Sequence, residues 1–453
     1  MRLSILYSLV AVAVLFGGCD GLSSNDASSP DGPVQAGGET TVESATANAF
    51  TFPSANLTGS AVEKHAAGDA AFEATFVSAP AAVNGGLGPI FKNTSCEACH
   101  PANGRSQQIL AHISAPGLDA KGRPEPVDGF GTTLEERAIF GSENEADLNV
   151  TYRDSTVTLS GGETVTLRVP SYSVADAYRP FPSDARVSPR AALPVFGLGL
   201  LEAIPATTLR RWARDQAADG DAVSGEVNEV WDQIEEERQV GRFGWKALAA
   251  SLRDQTADAY HLDMGVTSPF RPTESGAGQP PHEEASSLDN DPEVSRETVN
   301  EATFYVQTLG VPARRNTDDP RVQRGKKLFN EVGCATCHRP EATSGSFDAV
   351  PSVENQRFAP YTDLLLHDMG PALADGRPVF DASGREWRTP PLWGLGLRAL
   401  VQGHNTLLHD GRARNIREAI LWHGGEAEPA REQFRTQLTK EEREALVAFL
   451  KSL

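Results

Sequence analysis

Two short stretches carry the chemistry of this chain: Cys96-Glu97-Ala98-Cys99-His100 and Cys334-Ala335-Thr336-Cys337-His338. Each sets two thiols three positions apart with an imidazole directly behind them, the spacing of a c-type haem attachment site. The thiols form thioethers to the two haem vinyl groups, and the adjacent histidine ligates the iron from one face. Four of the five cysteines lie in these motifs, and the fifth is Cys19. None is left for a disulfide, and a four-cysteine zinc site would leave both histidines without a role. The spacing therefore predicts two covalently bound c-type haems, attached at Cys96, Cys99, Cys334 and Cys337. His100 and His338 are the expected proximal ligands.

What each iron does depends on its sixth position. Two strong protein ligands make an electron carrier, whereas an open position admits peroxide or oxygen. Apart from Met1 the chain has only Met264 and Met369, and both sit in an Asp-Met-Gly tripeptide. They are read either as ligands lining a haem face or as buried fillers. His112 is the histidine that follows the first motif most closely, and no Glu or Gln stands out as the distal base that peroxide cleavage would use. Trp393 and Trp422 are read as core, or as relays between haems.

The motifs need helices to hold them. Residues 67–76 have helical character and lead through Gly85–Phe91 into the first motif; residues 321–331 read as a helix running into the second. Thr439-Lys440-Glu441-Glu442 is a capping box. Behind it Leu446, Phe449, Leu450 and Leu453 form one apolar stripe at helical spacing, a terminal core helix. Leu193–Leu200 repeats as Pro390–Leu397, which points to diverged copies of one unit. Between the copies, 208–216 and 245–252 read as helical, and the polar stretch 272–295 as an exposed linker. The expected architecture is mainly α, with a first cytochrome c-like haem domain over 49–310 and a second over 311–453.

The N-terminus reads as targeting rather than fold. Arg2 and the apolar run Leu3–Phe16 form a secretory signal over 1–18. Small residues before Cys19 resemble a lipobox, with Cys19 as the lipidated N-terminus. Residues 19–48 are rich in small polar types and read as a tether. The expected setting is a periplasm-facing lipoprotein whose contact with the membrane is through the lipid anchor alone. The formal charge of −20 argues against nucleic acid and anionic membrane surfaces as partners.

Five further stretches resemble the dihaem oxidoreductases, the "thiol oxidoreductase" family related to bacterial dihaem cytochrome c peroxidases. They are Gly86–Phe91, Gly241–Lys246, Tyr361–Gly370, Arg388–Gly394 and Leu408–Arg412. The resemblance implies one haem that accepts electrons from a small redox protein or other donor, and one that reacts with peroxide or a related oxidant. It also raises a calcium ion between the domains. In the peroxidases the distal ligand of the second haem follows a His-Asp-Gly turn by fourteen residues. Here the turn is His409-Asp410-Gly411, the helix after it runs 416–421, and the matching position is His423. The peroxidases carry methionine there, so His423 implies a bis-histidine haem of lower potential. The first half has no counterpart of His423. Hence the first haem is expected to be the reactive one and the second the electron-transfer one. An electron-transfer-only dihaem cytochrome and a haem oxygenase-type dihaem enzyme are the alternative readings.

Overall fold

The computed structural model describes residues 34–275 and 292–453. The leader at 1–18, Cys19, the tether as far as residue 33 and most of the linker expected at 272–295 lie outside the described residues. Among the described residues seven helices have seven residues or more: α1 (Ser60–Glu73), α2 (Ala206–Asp219), α3 (Leu252–Asp258), α4 (Arg296–Thr308), α5 (Pro320–Glu331), α6 (Ile416–Trp422) and α7 (Lys440–Ser452). The capping box forms as read. Thr439 Oγ1 accepts from the Glu442 amide at 3.2 Å, and Glu442 Oε2 accepts from the Thr439 amide at 3.0 Å. The stripe from Leu446 to Leu453 is buried.

Two helix crossings share one geometry. α1 packs on α4, and α5 packs on α7. A Cβ at Gly68 would lie 2.2 Å from the Glu301 carbonyl, and one at Gly325 2.0 Å from the Ala445 carbonyl. Only glycine lets the backbones approach that closely. Four residues further along each helix an aromatic pair meets: Phe72 on Tyr305 at 5.2 Å, and Phe329 on Phe449 at 5.3 Å. The repeated stretches extend the match. Gly199 abuts the Gln307 carbonyl and Gly396 the Lys451 carbonyl. The two copies also touch each other, with Phe196 packed 6.4 Å from Trp393. α4, which sequence reading passed over, is thus the counterpart of the terminal helix α7. Its start is marked by Ser295, whose Oγ accepts from the Thr298 amide at 3.1 Å.

The mainly α expectation is overturned. The chain is 32% helix and 20% strand, a mixed α/β fold with several small sheets. The strands form two-stranded ribbons, among them β1 (Ile109–Ser114), β2 (Asp147–Thr158), β3 (Thr164–Ala175) and β4 (Arg186–Ala191). β1 pairs antiparallel with β4, setting His112 opposite Ser188 and Leu110 opposite Arg190. β2 and β3 make a hairpin of twelve pairs, Asp147↔Ala175 to Thr158↔Thr164. The period-two run Val165, Leu167, Val169 and the turn Gly161-Gly162 are its sequence signal; haem-domain expectations masked it. The hairpin starts in the first half and ends on the second. Arg443 donates to Ser160 Oγ (2.6 Å), Arg417 pairs with Glu163 (2.5 Å), and Tyr172 donates to Asp410 (2.8 Å).

Two local expectations also change. Residues 245–252 are not a helix: Phe243 bridges to Ala249, and α3 begins only at Leu252. The described end of the expected tether is folded, with Thr41–Val42 paired parallel to Val311–Pro312 and Ala36 and Thr40 buried.

Alanine usually stabilises a helix by about 1 kcal/mol over glycine. At Gly325 the sign should reverse. Gly325→Ala drives a methyl into the Ala445 carbonyl, and the expected loss is about 1–3 kcal/mol, read as a lower midpoint in denaturant unfolding. An unchanged or higher midpoint would show that α5 and α7 part without cost.

Candidate functional site

Each CxxCH turn begins beside one of these crossings. Ser95 Oγ accepts from the Ala98 amide at 3.1 Å, which turns Cys96–Cys99 into one helical turn. At the second motif Gly333, at φ 87°, ends α5 and swings the chain into Cys334–Thr336. The His338 amide closes the turn on the Cys334 carbonyl at 3.0 Å. Phe72 lies 6.3 Å from His100 and Phe329 6.5 Å from His338, so each crossing carries an aromatic ring against the imidazole.

Both motifs line cavities. The first is about 240 Å³ and is lined by Cys96, Cys99 and His100, together with His112, Met264 and Trp393. The second is about 430 Å³ and is lined by Cys334, Cys337 and His338, together with His367, Met369 and His423. The four described cysteines form no disulfide. Burial pushes the Cys96 and Cys334 thiols up to about 12 and Cys99 to about 11. Burial thus disfavours the thiolate at each motif.

The second cavity brings His338 and His423 together. Their ring centroids lie 6.5 Å apart at 47°. His338 Nδ1 is 3.0 Å from the Tyr361 carbonyl, and His423 Nδ1 is 2.7 Å from the Ala419 carbonyl. A carbonyl only accepts, so both Nδ1 atoms carry the proton and both Nε2 lone pairs are free. Tyr361 sits at φ 54°, a left-handed conformation that non-glycine residues rarely adopt. Burial keeps both rings neutral; for His338, whose value falls to about 4, the nearby His423 adds to the effect. Neutral imidazoles with free Nε2 atoms are the form that ligates metal. With metal–nitrogen bonds of about 2 Å, one metal fits between rings at this separation. His423 is delivered as read: Asn415 caps α6 through the Glu418 amide at 3.0 Å, and His423 is the residue after its last turn.

The first cavity is arranged differently. Burial keeps the His100 ring neutral, offset in part by the backbone of Gly104 and Leu193 beside it. Among the described residues no imidazole faces His100 as His423 faces His338. His112 lines the cavity from β1, and Met264 is buried at its edge. Met369 lines the second cavity, but the position facing His338 is taken by His423.

Other histidines are accounted for by packing. His409 stacks on Trp387 at 3.8 Å and 10°. His404 bonds the Arg105 carbonyl at 2.9 Å. His367 sits between Asp363 (3.0 Å) and Glu426 (2.7 Å). Burial works against its charge, yet the two carboxylates hold it well above the usual histidine range.

Leu193, Trp245, Arg388, Pro390, Pro391 and Arg398 line both cavities. All but Arg398 lie in the repeat or in the family-like stretches, but their sequence assigns them no role in joining two sites. Trp245 is fixed by its Nε1–H, which donates to the Ala191 carbonyl at 2.7 Å. Trp393 lines only the first cavity, and Trp422 lines neither. Trp245 stands in a loop, where the helical reading of 245–252 did not place it. Its only signal was its place in Gly241–Lys246. Among the described residues no cluster of three or more His, Cys, Asp or Glu is arranged to hold a metal ion, and no helix is long and apolar enough to cross a membrane.

A search of curated proteins finds no match to the chain. A family model described as "Di-haem oxidoreductase, putative peroxidase" matches residues 33–115 and 119–453. That match spans both CxxCH turns, both cavities and the facing imidazoles, and by it the chain belongs to the di-haem oxidoreductase family.

Proposed function

We propose that the chain is a peroxidase-like enzyme with two unlike c-type haems. Cys334 and Cys337 attach the second, and His338 and His423 ligate it from both sides. Cys96 and Cys99 attach the first, which His100 alone ligates. When bound, a haem supplies an iron that changes by one electron and, where a position is open, a place for peroxide. The carrying observation is the facing of His338 and His423 at 6.5 Å, with no such partner opposite His100 among the described residues. Full ligation makes the second site a relay, and the first site is left for the oxidant. Reduction of hydrogen peroxide to two waters takes two electrons and two protons. The electrons come from an external donor such as a small redox protein. Trp245, lining both cavities, is the ring we assign to electron passage between them. Met264 and Met369 are assigned to packing, and no calcium is needed for this scheme. The N-terminal reading completes the proposal: export, with a lipid on Cys19 holding the enzyme at the cell envelope.

Three measurements test this reading. His423→Gly should convert one low-spin ferric EPR signal to high-spin; an unchanged spectrum removes His423 from the iron. The half-reduced wild-type protein should show a high-spin first haem whose spectrum changes on adding peroxide. Two low-spin haems indifferent to peroxide in every redox state would leave an electron carrier instead. Trp245→Phe should slow electron transfer between the haems while both potentials hold. An unchanged rate would place the path elsewhere.

A further inference from the structure

The wall between the two cavities is cationic, and among the described residues Arg398 in it has no carboxylate partner. Arg398 is 8% exposed and lines both cavities. Its Nε is buried without a hydrogen bond. Among the described residues its side chain makes no ion pair, although the chain holds 61 Asp and Glu against 41 Lys and Arg. Arg388 also lines both cavities, at 4% exposure. Among the described residues it donates to main-chain carbonyls, Gly244 at 2.8 Å and Thr389 at 3.2 Å, and the buried Asp363 nearby offsets part of its charge. Other buried cations are mixed in this respect. Lys246 meets Asp375 at 3.0 Å and Arg412 meets Asp410 at 2.7 Å, whereas Arg105, close to Arg398, has no ion pair among the described residues. Burying a guanidinium without a counter-charge is strongly unfavourable. Its fork of donors matches a carboxylate.

We propose that Arg398, supported by Arg388, is a shared carboxylate site that takes one propionate from each of the two haems. This rests on the di-haem reading above. The cofactor then supplies the anions that the chain does not place against Arg398, and one guanidinium touches both redox centres. Each propionate neutralises part of a charge that the other also feels, so the two sites are electrostatically linked through Arg398. The positive charge raises both potentials, because the reduced iron carries one positive charge fewer than the oxidised iron.

The test uses the full-length holoprotein and two variants. Arg398→Met removes the charge at similar length, and Arg398→Lys keeps the charge without the fork. Haem is counted by the pyridine haemochrome assay, and both midpoint potentials are read by spectroelectrochemical titration. In Arg398→Met both potentials should fall; in Arg398→Lys both should stay near wild type, with an altered propionate bending band in the resonance Raman spectrum. Two haems per chain with neither potential lowered, or only one, overturns the shared site. If Arg398→Met takes up no haem, Arg398→Lys decides, and an unaltered propionate band overturns the proposal. A wild-type protein without covalent haem would instead bring down the di-haem reading itself.

Discussion

Two points of backbone contact govern the rest of this molecule: Gly68 against Glu301 and Gly325 against Ala445. Each brings two helices together at a separation that a single methyl would forbid. An aromatic ring one turn further on then reaches both the partner helix and the imidazole of the CxxCH turn. Helix contact, aromatic ring and imidazole form a rigid series, repeated in both halves. A metal ligand needs its orientation fixed by surroundings that cannot yield, and close-packed backbone is the least compliant support available.

From that shared frame the halves diverge by what they place opposite the motif. The second half spends a short helix, α6, to present His423. The first half lines the corresponding space with a strand pair, β1 and β4, and with α3. The same duplicated support therefore carries two chemically different pockets. The polar design differs from the surface as well. An acidic exterior encloses an interior in which Arg388 and Arg398 face the cavities. Low dielectric strengthens any charge placed there, so a few buried cations can outweigh many solvated carboxylates in setting the local potential.

How much of this was legible depends on whether a feature is local. The CxxCH turns, the Thr439 capping box and the α6 position of His423 are written in neighbouring residues, and the chain alone displays them. The glycines at the crossings are visible as letters, but their meaning lies in a carbonyl more than a hundred residues away. α4 was hidden by the polar stretch before it. The hairpin of β2 and β3 was hidden by an assumption about haem domains rather than by its own pattern, which alternates plainly from Val165 to Val169. Trp245 and Arg398 acquire importance only when two cavities share a wall, and no one-dimensional pattern encodes that.

The hairpin has a consequence for how the chain comes to be folded. Its bonds to the second half join residues 238 to 283 positions apart. During synthesis this ribbon therefore emerges long before the surface it will rest on. Until then its two edges and the side of Leu167 face water, in the condition that invites pairing with other chains. The exposed strands are rich in Thr, Ser, Arg and Asp rather than continuous apolar residues, which lowers that hazard. The second cavity itself draws Leu193, Asp221, Val223 and Trp245 from the first half, so its wall is complete only once both halves have met.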